Sequence, residues 1–160
     1  MVARSLSRAR WLREPALSLR FRLTNPLRRR RFEGRFTMPQ HTSILVVDDH
    51  SAIRVTLRDI LQNEGYDVQS AASGEEAVDV FQGGHFDAVL MDVRMRGING
   101  VEAFRRMKSF CRGVKVILMS AFSGDELKEE SLQEGAIAFL PKPLDMENLI
   151  GLIGETVSRN

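Results

Sequence analysis

The chain has 160 residues, 43% of them hydrophobic and 28% charged, which suits one globular domain with its own core and some additional sequence. No apolar run approaches the roughly 20 residues that span a bilayer, and a single cysteine, Cys111, cannot form an internal disulfide, so we expect a cytoplasmic protein. The net charge of +2 conceals two regions of opposite sign, because residues 1–37 carry 11 arginines against two glutamates and the remaining 123 residues carry a net charge of −7.

The arginine-rich leader, residues 1–40, has no sustained hydrophobic period, and its densest charge is at Arg28–Arg31. Three interpretations stay open. The favoured one is a misassigned start, since Met38 stands directly before the first apolar run. The others are an arm that binds nucleic acid or another acidic surface, and an organellar transit peptide. In each case we expect disorder or a marginal helix, because the leader offers too few apolar residues for a core.

From residue 41 onward, short apolar runs alternate with stretches of helical period, which predicts five strand–helix repeats. The predicted strands are 44–47, 66–71, 87–91, 114–120 and 136–140. The predicted helices are 51–64, 73–81, 100–110, 123–135 and a last one whose apolar stripe is Met146, Leu149, Ile150, Ile153 and Val157. Capping boxes open the second and fourth helices, at Ser73–Glu76 and Ser123–Glu126. Strands that are apolar on both faces and alternate with helices predict a parallel sheet covered on both sides.

Chemically active side chains follow four of the predicted strands: Asp48 and Asp49, then Asp92, Ser120 and Lys142. All of these except Asp92, which is the hardest to explain away, would alone pass for a helix cap, a strand-end hydroxyl or a loop residue. The carboxyl ends of parallel strands, however, meet at one edge of a sheet. Three close carboxylates repel one another unless cations are supplied, and Lys142 supplies only one charge. Oxygen ligands of this kind suit Mg²⁺, for which Mn²⁺ could substitute. The sequence therefore predicts a site for a metal ion and a phosphoryl group.

Four separated motifs, ILVVDDH, LMDVRM, ILMSAF and FLPKPLD, resemble in order and spacing the receiver domain of two-component response regulators. The resemblance covers about Ser43 to Val157 and implies an α/β, flavodoxin-like (βα)5 doubly wound parallel sheet of order 2-1-3-4-5 in a receiver domain of residues 41–160. It also implies a stoichiometric phosphoacceptor rather than an enzyme, with Mg²⁺-dependent self-phosphorylation and self-dephosphorylation. Asp92 would accept the phosphoryl group from a sensor histidine kinase or a histidine phosphotransfer protein, or from acetyl phosphate.

The same resemblance implies a role for each site residue. The metal ligands would be three carboxylates and one main-chain oxygen: Asp48, Asp49, Asp92 and the backbone carbonyl of Arg94. Phosphoryl binding and switching would fall to Ser120, Lys142 and Phe139. The bond before Pro143 resembles the family's cis peptide, which would aim Lys142 at the site.

Four positions qualify this picture. Arg94 and Phe122 stand where the family tunes hydrolysis of the acyl phosphate, and the bulky Phe122 is expected to prolong its lifetime. Arg96 replaces a frequent proline, which should loosen the loop after Asp92. His50 is not expected to be a metal ligand, because neighbouring side chains rarely converge and Mg²⁺ prefers oxygen.

Only three residues follow the fifth helix, so we expect a single-domain regulator whose output is contact with a protein target on the face of residues 125–157. The fourth helix has few apolar residues, Leu127 and Leu132, and a thinly anchored helix is suited to shift. Three alternatives stay open: a Mg²⁺-dependent phosphohydrolase, a docking module independent of phosphorylation, and a nucleic-acid-binding regulator acting through the leader. The first usually has an acid two residues after its nucleophile, where this chain has Arg94. No membrane partner is expected, and nucleic acid only through residues 1–37.

Overall fold

A computed structural model describes residues 42–121 and 127–158 of the chain. The strands are β1 (Ser43–Val47), β2 (Asp67–Ala71), β3 (Ala88–Asp92), β4 (Val116–Ser120) and β5 (Ala138–Pro141). The helices are α1 (Ser51–Asn63), α2 (Gly74–Gly83), α3 (Gly100–Phe110), α4 (Leu127–Gln133) and α5 (Met146–Ser158). All neighbouring strands pair in parallel in the order β2-β1-β3-β4-β5, which confirms the predicted topology. The leader, Phe122 and the Ser123–Glu126 capping box lie outside the described residues.

The sheet separates two apolar cores, which explains why its strands are apolar on both faces. Successive residues of a strand point to opposite faces, so Leu45 and Val47 enter the core beneath α2 and α3, whereas Ile44 and Val46 enter the core beneath α1 and α5. Three methionines are fully buried in these cores: Met91, Met107 and Met119. Among the described residues, no helix has the length and apolar character needed to cross a bilayer.

The strand boundaries differ from the predicted ones in ways that matter for the site. The prediction that β3 covers 87–91 is wrong by one residue, because Asp87 leaves the strand and its Oδ2 accepts a hydrogen bond from the Ser43 backbone amide at 2.8 Å. Asp92 is instead the last residue of β3, paired with Met119 of β4. β4 and β5 also begin two residues later than predicted, at Val116 and Ala138. The key aspartate is thus inside the sheet and not merely after it.

Helix α3 begins in close contact with the end of β3. The side chain of Asn99 caps the helix by accepting a hydrogen bond from the Glu102 amide at 2.8 Å. The amide of Gly100 donates to the Val93 carbonyl at 2.9 Å, and a Cβ atom at Gly100 would collide with the carbonyl oxygen of Asp92. Only glycine therefore allows the helix to start this close to the acidic residue.

Helix α4 is thinly anchored by apolar contacts, as predicted, but it is tied to α3 by charge. Ser131 is its only buried residue among 127–133, and Leu132 is 39% exposed. Arg105 of α3 donates from Nε and Nη2 to Glu134 at 2.9–3.1 Å and from Nη2 to Glu130 at 2.5 Å. These hydrogen bonds, above all those to Glu134, raise the pKa of Arg105 above its ordinary value.

We expect Arg105→Gln to loosen α4, because exposed ion pairs of this kind contribute roughly 0.2–1 kcal/mol each. Amide hydrogen exchange of residues 127–135 should accelerate about fivefold, which corresponds to about 1 kcal/mol. Arg106→Gln is the matched control, because Arg106 pairs with Glu102 of its own helix at 3.0 Å. Equal exchange of α4 in both variants would show that the interhelical pairs do not hold it.

Candidate functional site

The carboxyl ends of β1 and β3 place two buried acids side by side. Val47 is in register with Met91, so the next residues, Asp48 and Asp92, are neighbours at the sheet edge. Asp48 has no exposed surface and Asp92 is 4% exposed. Lys142, after β5, donates from Nζ to Asp48 Oδ2 at 2.6 Å and to Asp92 Oδ1 at 2.7 Å. The lysine therefore bridges the two carboxylates, as the sequence predicted for this edge.

Burial controls the electrostatics of the bridge. It raises the pKa of Asp92 above its ordinary value, and the hydrogen bond from Lys142 offsets this only in part. Burial alone would lower the pKa of Lys142, but the hydrogen bonds to Asp48 and Asp92 outweigh burial and raise it. The lysine stays charged, and the Asp92 carboxylate is more basic than an ordinary aspartate.

Asp49 supplies the third carboxylate and shows where a cation fits. Its Oδ1 atom is buried and accepts no hydrogen bond of good geometry from any described residue, although His50 Nδ1 lies 2.8 Å away. The three acids carry a formal charge of −3 against the single charge of Lys142, which leaves an excess of negative charge. A buried carboxylate oxygen without a hydrogen bond, beside two further acids, matches the ligand chemistry of Mg²⁺. The residues present therefore fit a divalent cation.

The expectation that the side chains of residues 48–50 would not converge is wrong for His50. Its Nδ1 atom lies 2.8 Å from Asp49 Oδ1 and 3.3 Å from Asp48 Oδ1, and the three residues form a group that could hold a metal ion. His50 is the N-cap residue of α1, so the chain turns from strand to helix there and the alternation of side chains is lost. The His50 backbone amide also donates to Asp48 Oδ1 at 2.8 Å, which helps to fix that carboxylate.

The predicted switch residues lie on β4 and β5. Ser120 ends β4 and is fully buried, and its carbonyl accepts a hydrogen bond from the Lys142 amide at 2.7 Å. The peptide bond between Lys142 and Pro143 is cis, as predicted. Phe139 lies in β5 opposite Leu118 and is half-buried against the core beneath α2 and α3. Backbone contacts of β4 thus hold the lysine in place.

The loop from β3 to α3 is fastened by a residue that sequence reasoning missed. The Glu75 side chain of α2 accepts a hydrogen bond from the Ile98 amide at 2.9 Å, and this bond lowers the pKa of Glu75. Gly97 has a φ of +79°, and a Cβ atom there would collide with the Glu75 carboxylate. The loop carrying Arg94 and Arg96 was expected to be loosened by the loss of a proline, but Glu75 holds its far end. The two partners are 23 residues apart, and no local pattern signals the pair.

Two clefts flank the acidic residues. A polar cleft of about 360 Å³ is lined by Asp49, His50, Ala72, Ser73 and Arg96. An apolar cleft of about 320 Å³ adjoins Lys142 and is lined by residues of α1, of the β5–α5 loop and of the start of α5: Ala52, Ile53, Thr56, Leu57, Pro143, Leu144 and Met146. The site is therefore open on a polar side and on an apolar side.

Comparison with known proteins gives one consistent family. The family model for the response regulator receiver domain matches residues 44–154. Sporulation initiation phosphotransferase F of Bacillus subtilis (strain 168) is 35% identical over 106 residues, which are 66% of this chain and 86% of the relative. Transcriptional regulatory protein ZraR of Escherichia coli (strain K12) is 39% identical over 106 residues, again 66% of this chain but only 24% of the relative. The chain thus spans about a quarter of that longer regulator.

Solved structures agree with the sequence relatives. The response regulator TrrA from Thermotoga maritima, in complex with Mg²⁺–BeF, has a TM-score of 0.66 and 33% identity, covering 72% of this chain and 98% of that one. A chain of the CheX–CheY–BeF3–Mg²⁺ complex from Borrelia burgdorferi has a TM-score of 0.68 and 29% identity, covering 71% of this chain and 87% of that one. Phosphorylation on aspartate is typical of this family, whose receiver domains are generally phosphoacceptors and not enzymes. The match over 44–154, the strand order and these relatives together make the chain a member of the response regulator receiver family of bacterial two-component signalling.

Proposed function

We propose that the chain is a phosphoacceptor switch in which Asp92 receives a phosphoryl group from a sensor histidine kinase or a histidine phosphotransfer protein. Residues 41–160 form the receiver domain in this proposal. The observation that carries it is the Lys142 bridge, since Nζ lies 2.7 Å from Asp92 Oδ1 at a buried sheet edge. A purely structural ion pair needs only one acid for one lysine. This edge holds three acids, and the Oδ1 atom of one of them, Asp49, accepts no hydrogen bond from a described residue.

The transfer step requires little of the protein beyond placement and charge. An oxygen of the Asp92 carboxylate attacks the phosphorus atom, and the bond from phosphorus to the leaving nitrogen or acyl oxygen breaks with its electron pair. Lys142 balances the negative charge that gathers on the phosphoryl oxygens. Mg²⁺, or Mn²⁺ in its place, would supply two further positive charges when held by Asp49, Asp92 and the backbone carbonyl of Arg94, with Asp48 in support.

We propose that the signal leaves through the face formed by α4, β5 and α5, within residues 125–157. Ser120 would bind the transferred phosphoryl group. The Phe139 ring, which is already half-buried, would turn further inward. Leu132 and Ile137, which are 39% and 42% exposed, offer this face apolar contact for a target protein. Arg94 and Phe122 would set how fast the acyl phosphate hydrolyses.

The phosphoryl donor protein is proposed to contact the apolar cleft beside Lys142. A protein donor must bring its phosphohistidine to Asp92, and this cleft adjoins the lysine that touches Asp92. The same proposal places the chain in the cytoplasm, where the kinase that phosphorylates Asp92 would act.

The intact mass of the full chain tests the proposal directly. With acetyl phosphate and Mg²⁺ we expect a gain of one phosphoryl group, which disappears when EDTA removes the metal. Borohydride reduction followed by peptide mapping should locate the modification at Asp92. An unchanged mass with both acetyl phosphate and phosphoramidate would contradict the proposed function.

A further inference from the structure

Arg96 is the one arginine among the residues that line the polar cleft beside Asp49. Its side chain is exposed, and within residues 42–121 and 127–158 it makes no hydrogen bond or ion pair. An arginine that shares a cleft of about 360 Å³ with an aspartate would ordinarily pair with it. This arginine does not pair with Asp49, so its charge acts on whatever enters the cleft.

Two ligands of opposite sign come to this edge of the sheet if the chain works as proposed above. A divalent cation would enter toward the buried Asp49 Oδ1 atom, which accepts no hydrogen bond from a described residue. A phosphoryl donor brings an anion to the same edge, where the acids exceed Lys142 in charge. A fixed cation at the wall repels the first ligand and attracts the second.

We propose that Arg96 is a specificity-determining residue that weakens binding of the divalent metal and strengthens binding of small anionic phosphoryl donors. The proposal rests on the proposed function and concerns how ligand binding at that site is regulated. The ligand class is an acyl phosphate whose phosphoryl group is a dianion. Phosphoramidate, which carries less negative charge at neutral pH, gains less from the arginine.

The size of the effect follows from screened electrostatics. Two unit charges about 4 Å apart in water interact with about 1 kcal/mol, and physiological salt screens charges beyond about 8 Å. Because the guanidinium is exposed, we expect changes of about three- to tenfold for each ligand. The two changes have opposite signs, which separates this role from damage to the fold, since damage would weaken both.

The test compares Arg96→Ala with the parent in two measurements on the full chain. Mn²⁺ titration followed by electron paramagnetic resonance, without any donor, should show about three- to tenfold tighter binding in the variant. The KM for acetyl phosphate at saturating Mg²⁺, from phosphorylation rates by mass, should rise by a similar factor, and the KM for phosphoramidate should rise less. Arg96→Lys keeps the charge and should restore both values toward the parent.

Arg112→Ala is the matched control, because Arg112 is exposed and lies after α3, at the opposite edge of the sheet. It should leave both measurements unchanged. An unaltered Mn²⁺ affinity, an unaltered KM for acetyl phosphate, or a weakening of both ligands in Arg96→Ala overturns the inference. A parent that takes up no phosphoryl group from either donor overturns the proposed function as well, whereas a parent that reacts normally beside an unaltered variant overturns the inference alone.

Discussion

Asp92→Asn is expected to abolish phosphoryl uptake completely while leaving the fold intact. The amide of asparagine cannot act as the attacking carboxylate, and no other acid takes the same position at the end of β3. Intact mass after incubation with acetyl phosphate and Mg²⁺ should stay at the unmodified value. Asp59→Asn, on the exposed side of α1, should be phosphorylated like the parent.

The same variant should be at least as stable as the parent when no metal is present. Burial raises the pKa of Asp92, which means that the ionised carboxylate costs stability at neutral pH. Asparagine removes that charge and its repulsion from Asp48 and Asp49, and Lys142 keeps its hydrogen bond to Asp48 at 2.6 Å. A gain in the free energy of unfolding, measured with urea and EDTA, is expected. Phosphoryl uptake by Asp92→Asn would mean that the acceptor lies elsewhere, and a large loss of stability would mean that the Asp92 charge supports the fold.

The sequence correctly predicts the features of the site that depend only on one residue and on the strand that carries it. The positions of Asp48, Asp92, Ser120 and Lys142 follow from the rule that parallel strands end at a common edge, and the structure brings Asp48, Asp92 and Lys142 within hydrogen-bonding distance there.

It failed where two distant residues had to be matched. The pairs that fasten Glu75 to Ile98 and Arg105 to Glu134 are 23 and 29 residues apart, so neither helical period nor strand alternation reveals them. The contact of His50 with Asp49 depends on the turn from β1 into α1, and sequence spacing does not predict where that turn aims an imidazole. The predicted start of strand β3 was wrong because the Asp87 side chain accepts a hydrogen bond from the Ser43 amide instead of continuing the strand, which is again a contact between distant residues.

Lys142→Met is expected to produce the largest loss of stability of any single change at the site. It leaves Asp48, which has no exposed surface, and Asp92, which is 4% exposed, without their shared cation. Removing one partner from a buried ion pair costs about 3–5 kcal/mol, because the remaining charge stays desolvated and unpaired. Urea unfolding with EDTA should show this loss. Lys115→Met is the control, because Lys115 is a half-buried lysine that donates to the Thr156 carbonyl at 2.9 Å, and the loss of such a hydrogen bond costs about 1 kcal/mol.

Two further measurements show whether charge is the cause. Adding the Asp48→Asn change to Lys142→Met removes one of the two orphaned charges, so the double variant should recover part of the lost stability and reveal the coupling. Saturating Mg²⁺ should stabilise Lys142→Met more than the parent, since the metal binds the native acids more tightly once the competing ammonium is gone. Equal losses in the Lys142 and Lys115 variants, with no response to Mg²⁺ or to Asp48→Asn, would reduce Lys142 to a packing residue. The expected pattern would instead show that the residue which stabilises the acidic edge is the one that competes there with the metal.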